Sequence, residues 1–283
     1  MRKRVGFGPG WGSLRVIIGV LIAVWSLVPI YWGIVIAFAT PADLLRTPVS
    51  LLPQSFTLDN FARLLNGAGL SQSFYMALAS SVIQAVGTTL LTLLLALPAA
   101  YAFARLTFRG STLLLAVITV TLAVPVYLVL IPLFQLETSS GLINTQQGVI
   151  VVLTSAALPL AIWILRSHIV TLPEDLESAA RLDGAGTFVL MWRIIGPLVA
   201  PGIVAAAVVT FLASWGAFLI PLVYAGTPTT EPLTVLIPAL VGKYSSDYGL
   251  QAAAGLIAVV PPVLLVILLQ RNLLSGLLKG ASR

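Results

Sequence analysis

Cysteine is absent from the chain, so a disulfide framework, a thiolate nucleophile and a cysteine-ligated metal are all excluded. Charge is scarce as well. Asp, Glu, Lys and Arg make up 8% of the residues and apolar side chains 59%, whereas a soluble domain carries about 25% charged residues. An ordinary soluble domain is therefore excluded, and the long uncharged runs become the first features to map. There is one histidine, His168, with no acidic cluster in ligand spacing. No metal site is expected, and His168 reads as an interfacial residue beside Arg166. The sequence holds no G-x-x-x-x-G-K-[ST], G-x-S-x-G or H-E-x-x-H. The chain is thus expected to be no enzyme and to bind no ATP through a P-loop. The net charge of +6 comes from basic residues scattered in short turns, not gathered on one face, so no nucleic-acid partner is expected.

What the chain does contain is six apolar runs, over 16–42, 74–99, 111–134, 148–165, 194–224 and 250–269. Each is about as long as, or longer than, the ~20 residues a helix needs to cross a bilayer. The expected fold is an all-α integral membrane protein with six transmembrane helices. A tail over 1–13 precedes a six-span domain over 14–274, and a second tail covers 275–283. A charged start before an apolar run also reads as a signal peptide, but this run is long and lacks a small-x-small cleavage site. Pro125 and Pro132 should bend span three or loosen its end. Two long polar connections lie over 43–73 and 225–249. In the first, TLDNFARLL reads as a short helix capped by Thr57 and ended by Asn66-Gly67.

An even number of spans puts both termini on one side, and the basic residues choose it. Arg2, Lys3, Arg4, Arg15, Arg105, Arg109, Arg166, Arg181, Arg193, Arg271, Lys279 and Arg283 fall in one set of connections. Only Arg46, Arg63 and Lys243 fall in the other. Both termini and the loop at about 166–195, between spans four and five, are therefore expected in the cytoplasm. The spans carry few ionisable groups, which argues against a proton relay. They do carry polar residues, among them Gln84, Thr88, Thr92, Thr119, Thr121, Thr154, Ser155, Thr210 and Ser214. Such residues either line a solute pathway or bond neighbouring helices, and Gln84, Thr88, Thr119, Thr210 and Ser214 are the pathway candidates. Trp25, Tyr31, Trp32, Tyr75, Trp163 and Tyr224 suit the aromatic belt.

The most polar cytoplasmic stretch, 172–201, holds Glu174, Asp175, Glu177 and Asp183. Thr171-x-x-Glu174 matches a capping box, with Pro173 in the first turn. Gly184 sits where a helix should stop, and Phe188, Met191 and Ile195 then open a second helical phase. Ala179 and Ala180 form a small-residue face that lets another surface approach. The stretch is either an interfacial helix on lipid or a docking helix for a protein. Lipid-surface helices usually carry Lys and Arg, so the acidic character favours a protein.

This stretch, LPEDLESAARLDGAGTFVLMWRIIGPLVAP, resembles the cytoplasmic EAA loop of binding-protein-dependent ABC importer permeases. It is most similar to the carbohydrate-uptake branch, in the maltose-type partner with the shorter N-terminus. That branch reads P-x-E-L-E-E-A-A-R-I-D-G-A with a later Ile-x-Leu-Pro. Pro173, Leu176, Glu177, Ala179, Ala180, Arg181, Asp183, Gly184, Ala185, Ile194 and Pro197 match. Ser178 stands where the family has the glutamate of EAA, and Gly196 where it has leucine. FTLDNFARLL, AAYAFARLTFRG, FLASWGAFLIPL and LLSGLLKGA extend the likeness over nearly the whole chain, although Gly216-Ala217 replaces the Asn-Glu common after Ser-Trp.

The resemblance implies a permease subunit of a prokaryotic cytoplasmic membrane importer, multi-pass in the bilayer, for a sugar or sugar-like solute. Its implied partners are a second homologous permease, two ATPase subunits that use ATP and Mg, and an extracytoplasmic solute-binding protein. Glu177, Ser178, Ala179, Ala180, Arg181, Asp183, Gly184 and Ala185 are implied to couple to the ATPase, and the 225–249 connection to meet the binding protein. A stand-alone secondary transporter and an ABC permease for a non-sugar solute are the alternative readings.

Overall fold

A computed structural model describes residues 9–46, 51–52, 55–67, 69–243 and 247–280. All of its regular elements among these residues are helical. By internal contacts the chain divides into two compact units, Met1–Ser71 with Ile237–Ala258, and Gln72–Leu236 with Val259–Arg283.

The first unit begins with α1 (Pro9–Ala37), so five residues assigned to the N-terminal tail, 9–13, are helical. Residues 1–8 of that tail lie outside the described residues. From Leu14 to Tyr31 the apolar side chains of α1 are exposed, Trp25 most of all, as befits a helix whose solvent is lipid, while Val35 and Ala37 near its end are buried. Two short helices follow, α2 (Pro41–Leu44) and α3 (Asp59–Asn66). The expected helix at TLDNFARLL is therefore present. Its N-cap is Leu58, without a side-chain cap, so Thr57 does not hold the expected position, although Thr57 Oγ1 accepts from Asp59 N at 3.0 Å; the Gly67 N–H closes the other end on Arg63 O.

Buried Asn60 on α3 donates to Ala37 O at 2.9 Å and Ala39 O at 3.1 Å. These carbonyls follow from the end of α1, where intrahelical donors run out. Phe38 stacks on Phe56 with centroids 4.5 Å apart. Asp43 accepts from Ser55 N at 3.1 Å and from the Ser55 hydroxyl.

The second unit is built on α4 (Leu70–Arg105), an unbroken helix of 36 residues that starts just before the unit boundary. At 1.5 Å per residue it is about 54 Å long, well beyond the ~30 Å hydrocarbon thickness. One end therefore has to project beyond the apolar layer. Then come α5 (Ser111–Thr121) and α6 (Val126–Ser139), bent 100° from each other. Pro125 caps α6 at this bend, while Pro132 lies inside α6. The proline reading of span three is met at Pro125.

Next are α7 (Gln146–Ile169) and α8 (Asp175–Leu182), then α9 (Thr187–Val189), which runs into a π turn at Leu190–Ile195. Beyond it lie α10 (Gly196–Leu198), α11 (Ala200–Trp215) and α12 (Leu219–Tyr224). The region expected as one fifth span is thus divided: the 187–198 and 200–215 segments bend by 81°, and α12 is separate. Pro197 and Pro201 flank the bend, and each removes a backbone donor. Two further helices, α13 (Leu233–Lys243) and α14 (Tyr248–Gly280), divide between the two units.

Among the described residues, four helices are long and apolar enough to cross a membrane: Leu14–Ala37, Leu70–Arg105, Gln146–Ile169 and Tyr248–Leu269. The count reaches six when each of the two bent pairs is one span.

Candidate functional site

The polar stretch singled out in the sequence, 172–201, folds as two helical pieces that part at Gly184. Gly184 has φ +84°, its N–H bonds Arg181 O at 3.1 Å, and the Ala185 N–H bonds Ala180 O at 2.9 Å. These two bonds and the left-handed residue form a Schellman C-cap, which satisfies the last carbonyls of α8. A Cβ at Gly184 would meet nothing within 4 Å, so glycine is needed for its conformation and not for space.

The other end of α8 differs from the sequence reading. The helix starts at Asp175 with Glu174 as N-cap and no side-chain cap. Thr171 Oγ1 instead donates back to His168 O at 2.7 Å. The capping box fails because Thr171 belongs to the turn that ends α7. The second helical phase is also displaced. Leu190 and Ile195 are fully buried, whereas Phe188 is 73% exposed. The π turn winds more residues per turn than an α-helix, so a spacing of five replaces three or four.

Leu190, Ile195, Val199 and Ala180 pack against Ala96, Leu97, Ala100 and Tyr101 of α4 and Leu165 and Ile169 of α7. This core seats α8 on the ends of two membrane helices. His168, at the end of α7, lies against Gly202 of α11, where a Cβ would stand 2.6 Å from its ring. Its Nδ1 is 2.9 Å from Ile164 O, and it belongs to no group able to hold a metal among the described residues.

Polar contacts complete the seat. Arg105 Nε donates to Glu177 Oε1 at 2.6 Å, and Tyr101 OH donates to Glu177 Oε2 at 3.0 Å. Arg105 Nη2 donates to Leu172 O at 2.6 Å, and its Nη1 lies 3.6 Å from Glu174. Arg181 Nη2 reaches Tyr101 OH at 3.4 Å. Glu177 and Arg105 are both buried, with side chains 9% and 8% exposed. Such a pair is tolerated where each charge is hydrogen-bonded as well as paired.

Of the residues implied to couple, Glu177 and Ala180 therefore face inward. Ser178, Ala179, Arg181, Asp183 and Gly184 are exposed, and Ala185 is half-buried. Leu182, 89% exposed, and Phe188 stand out apolar on either side of the Gly184 turn.

The pathway candidates also separate. Thr88, Thr210 and Ser214 line one cavity of about 220 Å³ with Leu153, Leu160 and Val209 among the apolar walls. The Thr88 hydroxyl is buried there with no hydrogen-bond partner among the described residues. Gln84 and Thr119 are not part of it. Thr119 Oγ1 donates to Leu115 O and accepts from Trp163 Nε1 at 2.9 Å. Gln84 Nε2 donates to Thr230 O at 2.7 Å and to Gln146 Oε1 at 3.0 Å. Gln146 in turn donates to Ser80 Oγ and Thr229 O. Together they bind the start of the second polar connection onto α4 and α7.

Sequence reading missed Tyr101 and Arg105. Their i, i+4 spacing at the charged end of an apolar run was the available signal. It also missed Gln146 and Ser80, which carried none.

Comparison with known proteins accords with this architecture. Residues 92–279 match the family described as binding-protein-dependent transport system inner membrane component. The chain is 30% identical over 282 residues to the sulfoquinovosyl glycerol transport system permease protein of Agrobacterium fabrum, covering 98% of each. It is 31% identical over 267 residues to the trehalose transport system permease protein of Mycobacterium tuberculosis, covering 94% of this chain and 95% of that one. Its fold resembles a chain in the crystal structure of a bacterial ABC transporter involved in the import of the acidic polysaccharide alginate. The TM-score is 0.79 at 19% identity, over 95% of this chain and 99% of that chain. The chain belongs to the family of binding-protein-dependent transport system inner membrane components, and is a multi-pass permease subunit of the cytoplasmic membrane.

Proposed function

We infer that this chain is one of two membrane-spanning subunits of an ATP-driven importer for a carbohydrate or carbohydrate-like solute delivered by an external binding protein. The names of its relatives support the solute class: one carries trehalose and another a sulfoquinovosyl glycerol. ATP and Mg belong to separate ATPase subunits, since the sequence holds no P-loop. The membrane part forms six spans, with each bent pair counted once, and both termini lie in the cytoplasm with the 166–195 loop. The uneven distribution of Lys and Arg supports this orientation. Reporter fusions at the C-terminus test it, and activity only outside the cell overturns it.

The observation that carries the coupling role is the exposed tip of α8. Leu182, Gly184 and Phe188 project on a rigid, capped turn, while the opposite face is locked into the membrane core. Exposed large apolar side chains on a rigid turn are what a protein groove receives. Ser178, Ala179, Arg181 and Asp183 would complete the contact. Leu182→Glu and Phe188→Glu should each abolish co-purification with the ATPase. Retention of the ATPase by both overturns this docking surface.

The cavity beside Thr88, Thr210 and Ser214 supports a wall of the solute path. At about 220 Å³ it falls below the ~300–1,000 Å³ of complete ligand pockets. A second permease subunit supplies the rest in this reading. Apolar walls with a few hydroxyls suit a sugar, which offers both C–H faces and hydroxyl groups.

A further inference from the structure

The coupling helix has two routes into the membrane. The covalent route leads through the Gly184 turn, the π turn and the 81° bend into α11. The π turn and the 81° bend interrupt this route, so no single straight element joins α8 to α11. The other route is non-covalent and enters α4, which is continuous from Arg105 back to the start of the second unit. On α4, Tyr101 and Arg105 hold Leu172, Glu174, Glu177 and Arg181, so α8 is gripped before its start, in its first turn and in its last turn. The same α4 carries Thr88 at the cavity and Ser80 and Gln84 under the 229–230 segment. The one continuous helix between the docked helix, the cavity and the second polar connection is therefore α4, which keeps its helical course through Pro98.

We propose that the buried Arg105–Glu177 pair, seconded by Tyr101, is the linkage that passes movement of α8 to α4, and that both residues are positioning residues for transport outside the ATPase contact. This rests on the docking reading above. Glu177 accepts two hydrogen bonds from α4, both directed inward, so its carboxylate is engaged within the chain. The exposed neighbours Ser178 and Ala179 are left to meet the partner.

Because the chain has no cysteine, a single reporter thiol is unique within it, and any cysteines of the partner chains are first replaced. Ala213→Cys places a thiol on an exposed part of the cavity wall. The full complex with its ATPase and binding protein, in lipid nanodiscs, is treated with a maleimide, with and without ATP, Mg and vanadate. The parent should show an ATP-dependent change in labelling rate. In Glu177→Gln that change should be lost while the ATPase still co-purifies and still traps vanadate. Tyr101→Phe, which keeps the ring, should reduce the change. The exchanged pair Arg105→Glu with Glu177→Arg should recover it. An undiminished change in Glu177→Gln, with the ATPase bound, overturns the linkage. Loss of the ATPase from Glu177→Gln also overturns it, by placing Glu177 in the contact. Absence of ATPase from the parent overturns the docking reading and this inference together.

Discussion

Gly184 separates a conformational requirement from a contact. Its φ of +84° is left-handed and nothing lies within 4 Å of a Cβ added there. The intrinsic cost of Gly184→Ala is therefore that of holding an L residue in the left-handed region, about 1–2 kcal/mol. That corresponds to roughly a 5–30-fold shift in the local opening equilibrium of the last turn of α8. Gly184→Asn should cost about half as much, since asparagine tolerates this region. Gly184→Val should cost more, because β-branching disfavours positive φ. Amide hydrogen exchange at residues 184 and 185 reads this order directly, since both N–H groups are bonded in the cap. Co-purification with the ATPase should follow a different order. If the turn lies in the docking surface, association falls with side-chain volume, so asparagine is worse than alanine. Exchange protection that also falls with volume would refute the open-space argument. Equal association for alanine, asparagine and valine would remove Gly184 from the contact.

The buried pair offers a second test. Arg105→Ala leaves Glu177 uncompensated and should cost about 3–5 kcal/mol, whereas Arg105→Ala with Glu177→Ala should recover much of it. Detergent denaturation of the singles and the double checks this, and strictly additive losses would refute the pairing. Gly202→Ala, which drives a Cβ against His168, should destabilise by about 1–3 kcal/mol in the same assay; His168→Ala should relieve part of that loss. Asp43 is held below its ordinary carboxylate range, first by the Ser55 hydroxyl, against burial that pushes the other way. A depressed native pKa contributes stability that is present above the ordinary value of 3.8 and is lost as pH falls through the native value. Ser55→Ala should flatten this acid limb of the stability profile, and an unchanged limb would refute it.

Some of this molecule was readable from local chemistry. The apolar runs, the short helix at 59–66, the break at Pro125 and the C-cap at Gly184 all depend on interactions within a few residues. So does the polar island at 172–201. The failures share a cause. Thr171 and Glu174 have capping-box spacing, yet where α7 ends, and hence which helix Thr171 serves, is settled by packing. Phe188 shares an α-helical stripe with Met191 and Ile195, but a π turn forms, and Leu190 turns inward with Ile195 while Phe188 is left exposed. Gln84 and Thr88 look alike as polar residues within one apolar run. Only their neighbours distinguish an anchor for the 229–230 segment from a hydroxyl facing a cavity.

By itself the sequence determined the membrane class, the approximate number of crossings, and the position of the short polar helix at 175–182 and its stop. Composition and spacing up to about four residues are one-dimensional properties, and a bilayer reads them directly. The tertiary structure alone decided which acid of that helix turns inward. Glu174, Asp175 and Glu177 are equivalent along the chain, but α4 passes beside only one face of α8. Arg105 and Tyr101, some 70 residues earlier in the sequence, meet Glu177 there because the packing of Ala180, Leu190 and Ile195 sets the rotation of α8. Leu182 and the Gly184 turn are left outward for the same reason.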